Sequence, residues 1–314
     1  MPHAIEYERF GGPEVLEYVE IPYALPGPGQ AVVEVRAAGV NPIDWKIRAR
    51  LRPSGEITEP RRLGSDAAGV ITMVGPGVEH WEVGDEVIVA NATGAYATEL
   101  AIDVTRLTRK PAGVTFEQAA AIPVPVGTAH QVLTSMGVGE GTTLLWHAGS
   151  GAVGQAAIQL ARRAGATVIA TASEHNHQHL RDLGAIPVAY GDGLADRVRA
   201  AAPQGIDVAI DAIGSTEAIE VSKELVGDGD RIATIVLGRQ AADLGIRAWS
   251  GGSPVPLTPE ELALRFDAVA LAAGLAAKGE FVLEVAHRYP LVDAAEAHRQ
   301  SETGHVRGKI VLLP

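Results

Sequence analysis

The sequence predicts an α/β chain in two parts, a β-rich lobe followed by a doubly wound parallel sheet. Three observations predict it. The first third is a series of short Val-rich runs separated by Gly and Pro. From Thr142 onward, short apolar strands alternate with helical stretches. A glycine-rich loop joins the first of those strands to the first of those helices.

In the β-rich lobe, Gln30–Ala38, Val70–Val74 and Glu86–Ala90 read as strands, with turn chemistry at Gly75-Pro76-Gly77 and Gly84-Asp85. Such short strands build a barrel-like or sandwich-like lobe. The pattern changes near Phe116: Gln118–Ile122 and Gly127–Met136 read as helices. Strands are then expected at Thr143–His147, Thr167–Thr171, Ile186–Ala189, Asp207–Asp211 and Arg231–Val236. Helices are expected between them, at Val153–Ala164, Asn176–Leu183, Ala195–Ala202 and Thr216–Leu225. This alternation implies a parallel sheet with helices on both faces. After the Gly/Pro-rich loop Ser250–Pro256, Thr258-Pro259-Glu260-Glu261 reads as a helix start. The final Gly308–Leu312 resembles the strands of the first lobe, so the tail is expected to return there.

Composition excludes several functions. The 314 residues contain no Cys, so disulfides, thiolate metal ligands and a cysteine nucleophile are excluded. The net charge is −12 with no basic run, which argues against nucleic acid or an anionic membrane as partner. The polar N-terminus is unlike a signal peptide, and stretches such as Phe266–Ala277 are too short and interrupted to span a bilayer. A soluble cytoplasmic protein is the expectation.

The strongest motif is Gly149-Ser150-Gly151-Ala152-Val153-Gly154, a G-x-G-x-x-G between strand and helix. The first Gly serves the tight turn, the second the approach of a pyrophosphate, the third close helix–strand packing. The helix N-terminus then presents N–H groups to phosphate. A dinucleotide is therefore expected. NAD sites commonly place an acid at the end of the second strand. Here Ser173 stands there, a donor to a 2′-phosphate, with Glu174 next to it and His175 and Asn176 within reach. The expectation is NADP(H). His175, His177 and His179 admit a metal reading and a polar-loop reading; no metal site is expected.

The chain resembles the zinc-free quinone oxidoreductase (zeta-crystallin-like) branch of the medium-chain dehydrogenase/reductase superfamily. The resemblance rests on FGGPEVLEYVEIP at the start, Ala37–Arg48 (AAGVNPIDWKIR), Leu63–Ile88, Pro125–Leu133, His147–Ser173 and Gly304–Leu312, in order along nearly the whole chain. It implies a GroES-like β-rich catalytic domain in 1–122, completed by 257–314, with a Rossmann cofactor domain in 123–256. It also implies a homodimer, and a nicotinamide facing the first lobe. By the same resemblance, Asn41, Ser65, Asp66 and Val124 fill positions that carry zinc ligands in the alcohol dehydrogenase branch. A single carboxylate does not make a zinc site.

Metal-free hydride transfer to a quinone, or to the β-carbon of an enone, is thus the implied chemistry, with a donor needed for the carbonyl oxygen. Asn41 is expected near the nicotinamide ribose, or else to serve as the turn residue before Pro42. Asp44 has a family counterpart and a structural reading. Lys46 is a candidate oxyanion donor, or a solvated lysine. Thr128 is expected to bond the nicotinamide carboxamide, or to cap its helix. His130 is a possible proton donor or a packed helix residue. Tyr190 is expected near the 2′-phosphate, or in the core. Ile213 and Gly214 should line the adenine, and Leu237 and Gly238 should lie near the nicotinamide. Lys309 is grouped with these cofactor residues. Trp249 is expected to shape the substrate pocket or a dimer interface. No side-chain acid is evident, and protonation by water is compatible with the sequence. An enoyl or alkenal reductase and a non-catalytic NADPH-binding protein are the alternatives.

Overall fold

The computed structural model describes every residue except Pro53, Ser250 and Gly251. The expected loop Ser250–Pro256 therefore opens on residues outside those described. Strands β1 (His3–Tyr7), β2 (Glu17–Glu20) and β3 (Gln30–Val40) come first, followed by helix α1 (Pro42–Arg48). Then come β4 (Arg61–Arg62), β5 (Asp66–Val74), β6 (Glu86–Val89), β7 (Glu99–Asp103) and β8 (Leu107–Arg109). Helices α2 (Phe116–Ala121) and α3 (Pro123–Ser135) lead to the alternating part. That part runs β9 (Thr143–Trp146), α4 (Ala152–Arg163), β10 (Thr167–Thr171), α5 (His177–Asp182), β11 (Ile186–Val188) and α6 (Leu194–Ala201). It continues with β12 (Val208–Asp211), α7 (Thr216–Val226), β13 (Ile232–Thr234), α8 (Ala241–Leu244) and β14 (Arg247–Ala248). Helix α9 (Pro259–Ala277), β15 (Val285–Pro290), α10 (Ala294–Glu302) and β16 (Lys309–Leu313) close the chain.

Two compact units result: Met1–Val124 with Phe266–Pro314, and Pro125–Arg265. The second break lies at 265/266 rather than at 256/257. Both breaks fall inside helices: 124/125 in α3, two residues beyond the expected 122/123, and 265/266 in α9.

In the first unit, β2-β1-β4 form a small sheet, and β15-β16-β3-β5-β6-β8 form the main one, with β7 also on β3. Alternating Val and Ala side chains of β3, β5 and β6 enter one apolar core with Tyr7, Tyr96 and Leu291. The tail strand β16 pairs antiparallel with β3, setting Ile310 opposite Val40. On the other side of β3, Gly39 pairs with Asp66. Lys309, Asn41 and Asp66 thereby meet at one end of three neighbouring strands.

In the second unit the sheet order is β11-β10-β9-β12-β13-β14, all parallel. The strand order reverses beside β9, which creates a switch point at its carboxyl end. The sixth strand, Arg247–Ala248, is absent from the sequence expectation because two residues without a Val/Ile run give no signal. Helix α9 starts as the sequence predicts: Thr258 and Glu261 exchange side-chain-to-backbone bonds of 3.2 and 2.9 Å. Among the described residues no helix is long and apolar enough to cross a membrane.

Candidate functional site

The glycine loop leaves β9 at the switch point. Ala148 takes a left-handed backbone (φ 65°), which side chains disfavour. Its N–H donates to Thr171 Oγ1 at 3.2 Å, and the Gly149 N–H donates to the Thr171 carbonyl at 2.8 Å. His147 is buried below. Its Nε2 lies 3.1 Å from Ser222 Oγ, whose own proton goes to the Ala218 carbonyl. Nε2 therefore donates, and Nδ1 is left to accept from Thr171 Oγ1 at 3.4 Å. Burial holds this imidazole neutral, with its pKa pushed down to about 4. The chain Ser222–His147–Thr171 thus anchors the loop.

The three glycines answer to different neighbours. A Cβ at Gly149 would lie 2.8 Å from Ala170 Cβ, and one at Gly154 would lie 2.5 Å from the Ala148 carbonyl oxygen. These two are glycine because protein packs against them. A Cβ at Gly151 meets only the Ala148 oxygen at 3.7 Å, an ordinary contact. Nothing in the protein requires glycine there. Gly151 is also the N-cap of α4, with no side chain capping that terminus. Ser150, Ala152 and Val153 are half-exposed beside it. Open space above uncapped N–H groups fits the pyrophosphate of a dinucleotide.

Apart from Thr128, which lies in α3, the other expected cofactor residues of this unit follow carboxyl ends of the same sheet. Ser173 and His175 come after β10, Tyr190 after β11, Ile213 and Gly214 after β12, and Leu237 and Gly238 after β13. Ser173 Oγ accepts from Asn176 Nδ2 at 3.1 Å and lies 3.3 Å from His175 Nε2. Tyr190 is 57% exposed, which overturns its reading as a core residue. The loop carrying it is held by Arg197, whose guanidinium donates to the Ala189, Gly191 and Asp192 carbonyls. His177 Nε2 donates to the Ala172 carbonyl, which turns it away from a three-histidine cluster. Among the described residues no group of three His, Asp or Glu could hold a metal ion.

Sequence reading missed a buried pair that shapes two of these loops. Asp211 accepts from the Ile213 and Gly214 N–H groups at 3.0 and 2.7 Å, and from Thr234 Oγ1 at 2.7 Å. Thr234 Oγ1 in turn accepts from the Val236 and Leu237 N–H groups. An Asp at the end of a predicted buried strand was the available signal. Trp249 is also placed differently. Its ring is buried and its Nε1 donates to Glu261. Thr128 lies inside α3, past its first turn, so it caps nothing. It is 7% exposed, and His130 is half-buried on the same helix.

In the first unit, Asn41 precedes α1, and its N–H donates to Asp44 Oδ2 at 2.8 Å. Tyr96 OH donates to the same oxygen at 2.7 Å. Asp44 is buried, and desolvation raises its pKa to about 6 against these two hydrogen bonds. The structural reading of Asp44 is therefore the one the contacts support. Asn41 Nδ2 donates to Asp66 Oδ2 at 2.9 Å, while Lys309 Nζ donates to Asn41 Oδ1 at 2.5 Å and to Asp66 Oδ2 at 3.1 Å. The Val124 N–H also donates to Asp66 Oδ2, at 3.2 Å. Lys309 is thus paired inside the first unit. Lys46 is half-buried, its Nζ 5.4 Å from the centre of the Trp45 ring. Burial, then the charge of Arg52, lowers its pKa.

The positions that resemble zinc-ligand positions hold an amide, a hydroxyl and one carboxylate already paired with an ammonium. This donor set does not fit zinc, which takes thiolate, imidazole or several carboxylates.

The alcohol dehydrogenase GroES-like domain family matches residues 27–132, and the zinc-binding dehydrogenase family matches residues 183–312. A quinone oxidoreductase of Pseudomonas aeruginosa is 32% identical over the full length of both chains. The chain belongs to the quinone oxidoreductase branch of the medium-chain dehydrogenase/reductase superfamily. The Escherichia coli quinone oxidoreductase crystallised with NADPH superposes with a TM-score of 0.85 at 30% identity, covering 99% of this chain and all of that one. A phthioceranic/hydroxyphthioceranic acid synthase of Mycobacterium tuberculosis is 32% identical over 96% of this chain, which spans 15% of that longer protein.

Proposed function

We propose that the chain is an NADPH-dependent quinone oxidoreductase that works without zinc. The observation that carries the reading is Gly151: a glycine that no protein contact requires, at an uncapped helix N-terminus on the switch-point edge of a parallel sheet. Residues Gly149–Gly154 would hold the pyrophosphate. Ser173, His175 and Tyr190 would hold the adenosine end with its 2′-phosphate, and Ile213 and Gly214 would line the adenine. Leu237, Gly238 and Thr128 would hold the nicotinamide end. When bound, the dihydronicotinamide supplies a hydride.

This chain's residues contribute orientation and charge stabilisation. A quinone or conjugated carbonyl that gains hydride develops negative charge on its oxygen, which calls for a preorganised donor. Asn41 Nδ2 and the Lys46 ammonium are the candidates. The neutral Ser173, with no acid at the 2′ position of the strand end, supports NADP(H) over NAD(H). Family resemblance supports a homodimer, and the NADPH complex of the Escherichia coli relative supports the cofactor.

The test is kcat/KM for NADPH and for NADH with one quinone, repeated with an enone. A preference for NADPH and for the quinone is expected. Preference for NADH overturns the cofactor assignment; preference for the enone with label at its β-carbon overturns the substrate class.

A further inference from the structure

One guanidinium of the second unit binds a single loop three times. Arg197, on α6, donates from Nε to the Ala189 carbonyl at 3.0 Å, from Nη1 to the Asp192 carbonyl at 2.7 Å and from Nη2 to the Gly191 carbonyl at 2.8 Å. All three acceptors belong to the short loop that follows β11 and carries Tyr190. Gly191 and Gly193 take left-handed backbone (φ 95° and 80°), the tight turn that folds these carbonyls back onto α6. The Gly191 N–H goes to Glu217 Oε2 at 3.1 Å, and the Leu194 N–H to the Gly191 carbonyl at 3.0 Å. The backbone of this loop is thus tied down on both its carbonyl and its N–H side, while Tyr190 in its middle is 57% exposed.

The loop stands beside the ribose end of a dinucleotide bound at the glycine loop. In such a sheet the second strand, here β10, ends at the ribose 2′ position. Strand β11 pairs with it in parallel, Thr171 opposite Val188, and the Ala172 N–H donates to the Val188 carbonyl at 3.1 Å. Ser173 and Tyr190 each follow two residues beyond that pair, on strands about 4.8 Å apart. The bonds of Arg197 go to neutral carbonyls, so they leave its charge uncancelled. Its neighbour Asp196 accepts instead from Arg199 Nη1, at 3.0 Å. An acid at this place suits a 2′-hydroxyl and an arginine nearby suits a 2′-phosphate. Residues 173–176 include no arginine or lysine, so the cation must come from another element.

We propose that Arg197 is a positioning residue that sets the preference for a 2′-phosphate. It fixes the Tyr190 loop as a wall beside Ser173, so the phosphate meets a preformed edge and need not order a loose loop. It also brings a positive charge to the end of the sheet where NADP(H) and NAD(H) differ. Holding three carbonyls takes the planar fork of a guanidinium; a lysine would supply the charge without the fork. This inference rests on the proposed function above, in which Ser173 and Tyr190 hold the adenosine end.

The test measures binding of 2′,5′-ADP and 5′-AMP, which differ by the 2′-phosphate alone, to the parent chain and to Arg197→Ala, Arg197→Gln and Arg197→Lys. Titration calorimetry gives the affinities, and hydrogen exchange follows the amides of residues 189–193. The parent is expected to bind 2′,5′-ADP at least about tenfold more tightly than 5′-AMP. Arg197→Ala and Arg197→Gln are expected to lose about tenfold for 2′,5′-ADP, to keep 5′-AMP within about twofold, and to exchange the loop amides faster. Arg197→Lys keeps the charge and frees the loop, so its loss should fall between parent and Arg197→Ala, and it carries the test if the neutral variants do not fold. A folded variant with the parent's ratio of the two affinities overturns the proposal. So does an equal loss for both ligands, which is the mark of a merely structural arginine. A parent that binds both ligands equally ends the NADP(H) reading and this inference together; a parent that discriminates, with variants that discriminate as well, ends this inference alone.

Discussion

Gly151→Ala and Gly154→Ala form a matched pair of perturbations within one loop. At Gly151 the backbone is extended (φ −70°, ψ 163°), so alanine fits without strain. The new methyl meets only the Ala148 oxygen at 3.7 Å. Alanine is a poorer N-cap than glycine, but it also restricts the unfolded chain by about 0.4–1 kcal/mol, and the two effects largely cancel. Gly154→Ala drives a methyl to 2.5 Å from the Ala148 oxygen and 2.7 Å from Gly149 carbons. Overpacking of this kind costs about 1–3 kcal/mol, or roughly 3–10 °C in Tm for a unit of this size. Thermal unfolding and NADPH titration on both variants give the assay. Gly151→Ala should keep the parent Tm within about 2 °C and lose at least about tenfold in NADPH affinity, about 1.4 kcal/mol. Gly154→Ala should lose Tm. Parent-like NADPH affinity in a stable Gly151→Ala protein would refute the reading of that open space as a phosphate cradle.

Other outcomes follow from the buried titratable groups and the missed Asp211. His147 has an ordinary value of 6.5 when unfolded and about 4 when folded, so the folded state resists its proton. Stability should fall by about 3 kcal/mol as pH drops from 6.5 to 4, and His147→Gln should flatten that slope in denaturant titrations. Asp44 behaves oppositely: its folded value of about 6 exceeds the unfolded 3.8, so its contribution is lost as pH rises between them. Tyr96→Phe removes a donor to that carboxylate, and should cost about 1–3 kcal/mol at pH 7 but less at pH 4.5. Asp211→Ala frees the Ile213 and Gly214 N–H groups together with Thr234 Oγ1. It should weaken NADPH binding in titrations and also lower Tm, unlike Gly151→Ala.

Most of the alternation after Thr142 was legible because β9, β10 and β12 are nearly fully buried, largely apolar runs set between helical stretches. The return of the tail was legible for the same reason, in Lys309–Leu313. Contacts far apart in sequence were not legible. Nothing local in Gly308-Lys309-Ile310 says that the lysine turns inward to Asp66, 243 positions away. Nor does Asn41-Pro42 say which end of its amide is occupied. Motif spacing identified the glycine loop, but only the surroundings of each Cα separate the glycine that faces open space from those that face protein. Trp249 illustrates the converse: the sequence offers it to a substrate pocket or a dimer interface, and only the fold shows its ring buried with Nε1 donating to Glu261.

The proposed activity is metal-free reduction of a quinone by NADPH. Its most direct measurement is the rate of NADPH oxidation with 1,4-benzoquinone, using protein dialysed against chelator and checked for bound metal. An undiminished rate is expected with less than about 0.1 zinc per chain, as the single ammonium-paired carboxylate implies. A rate that vanishes on chelation and returns with zinc would contradict it.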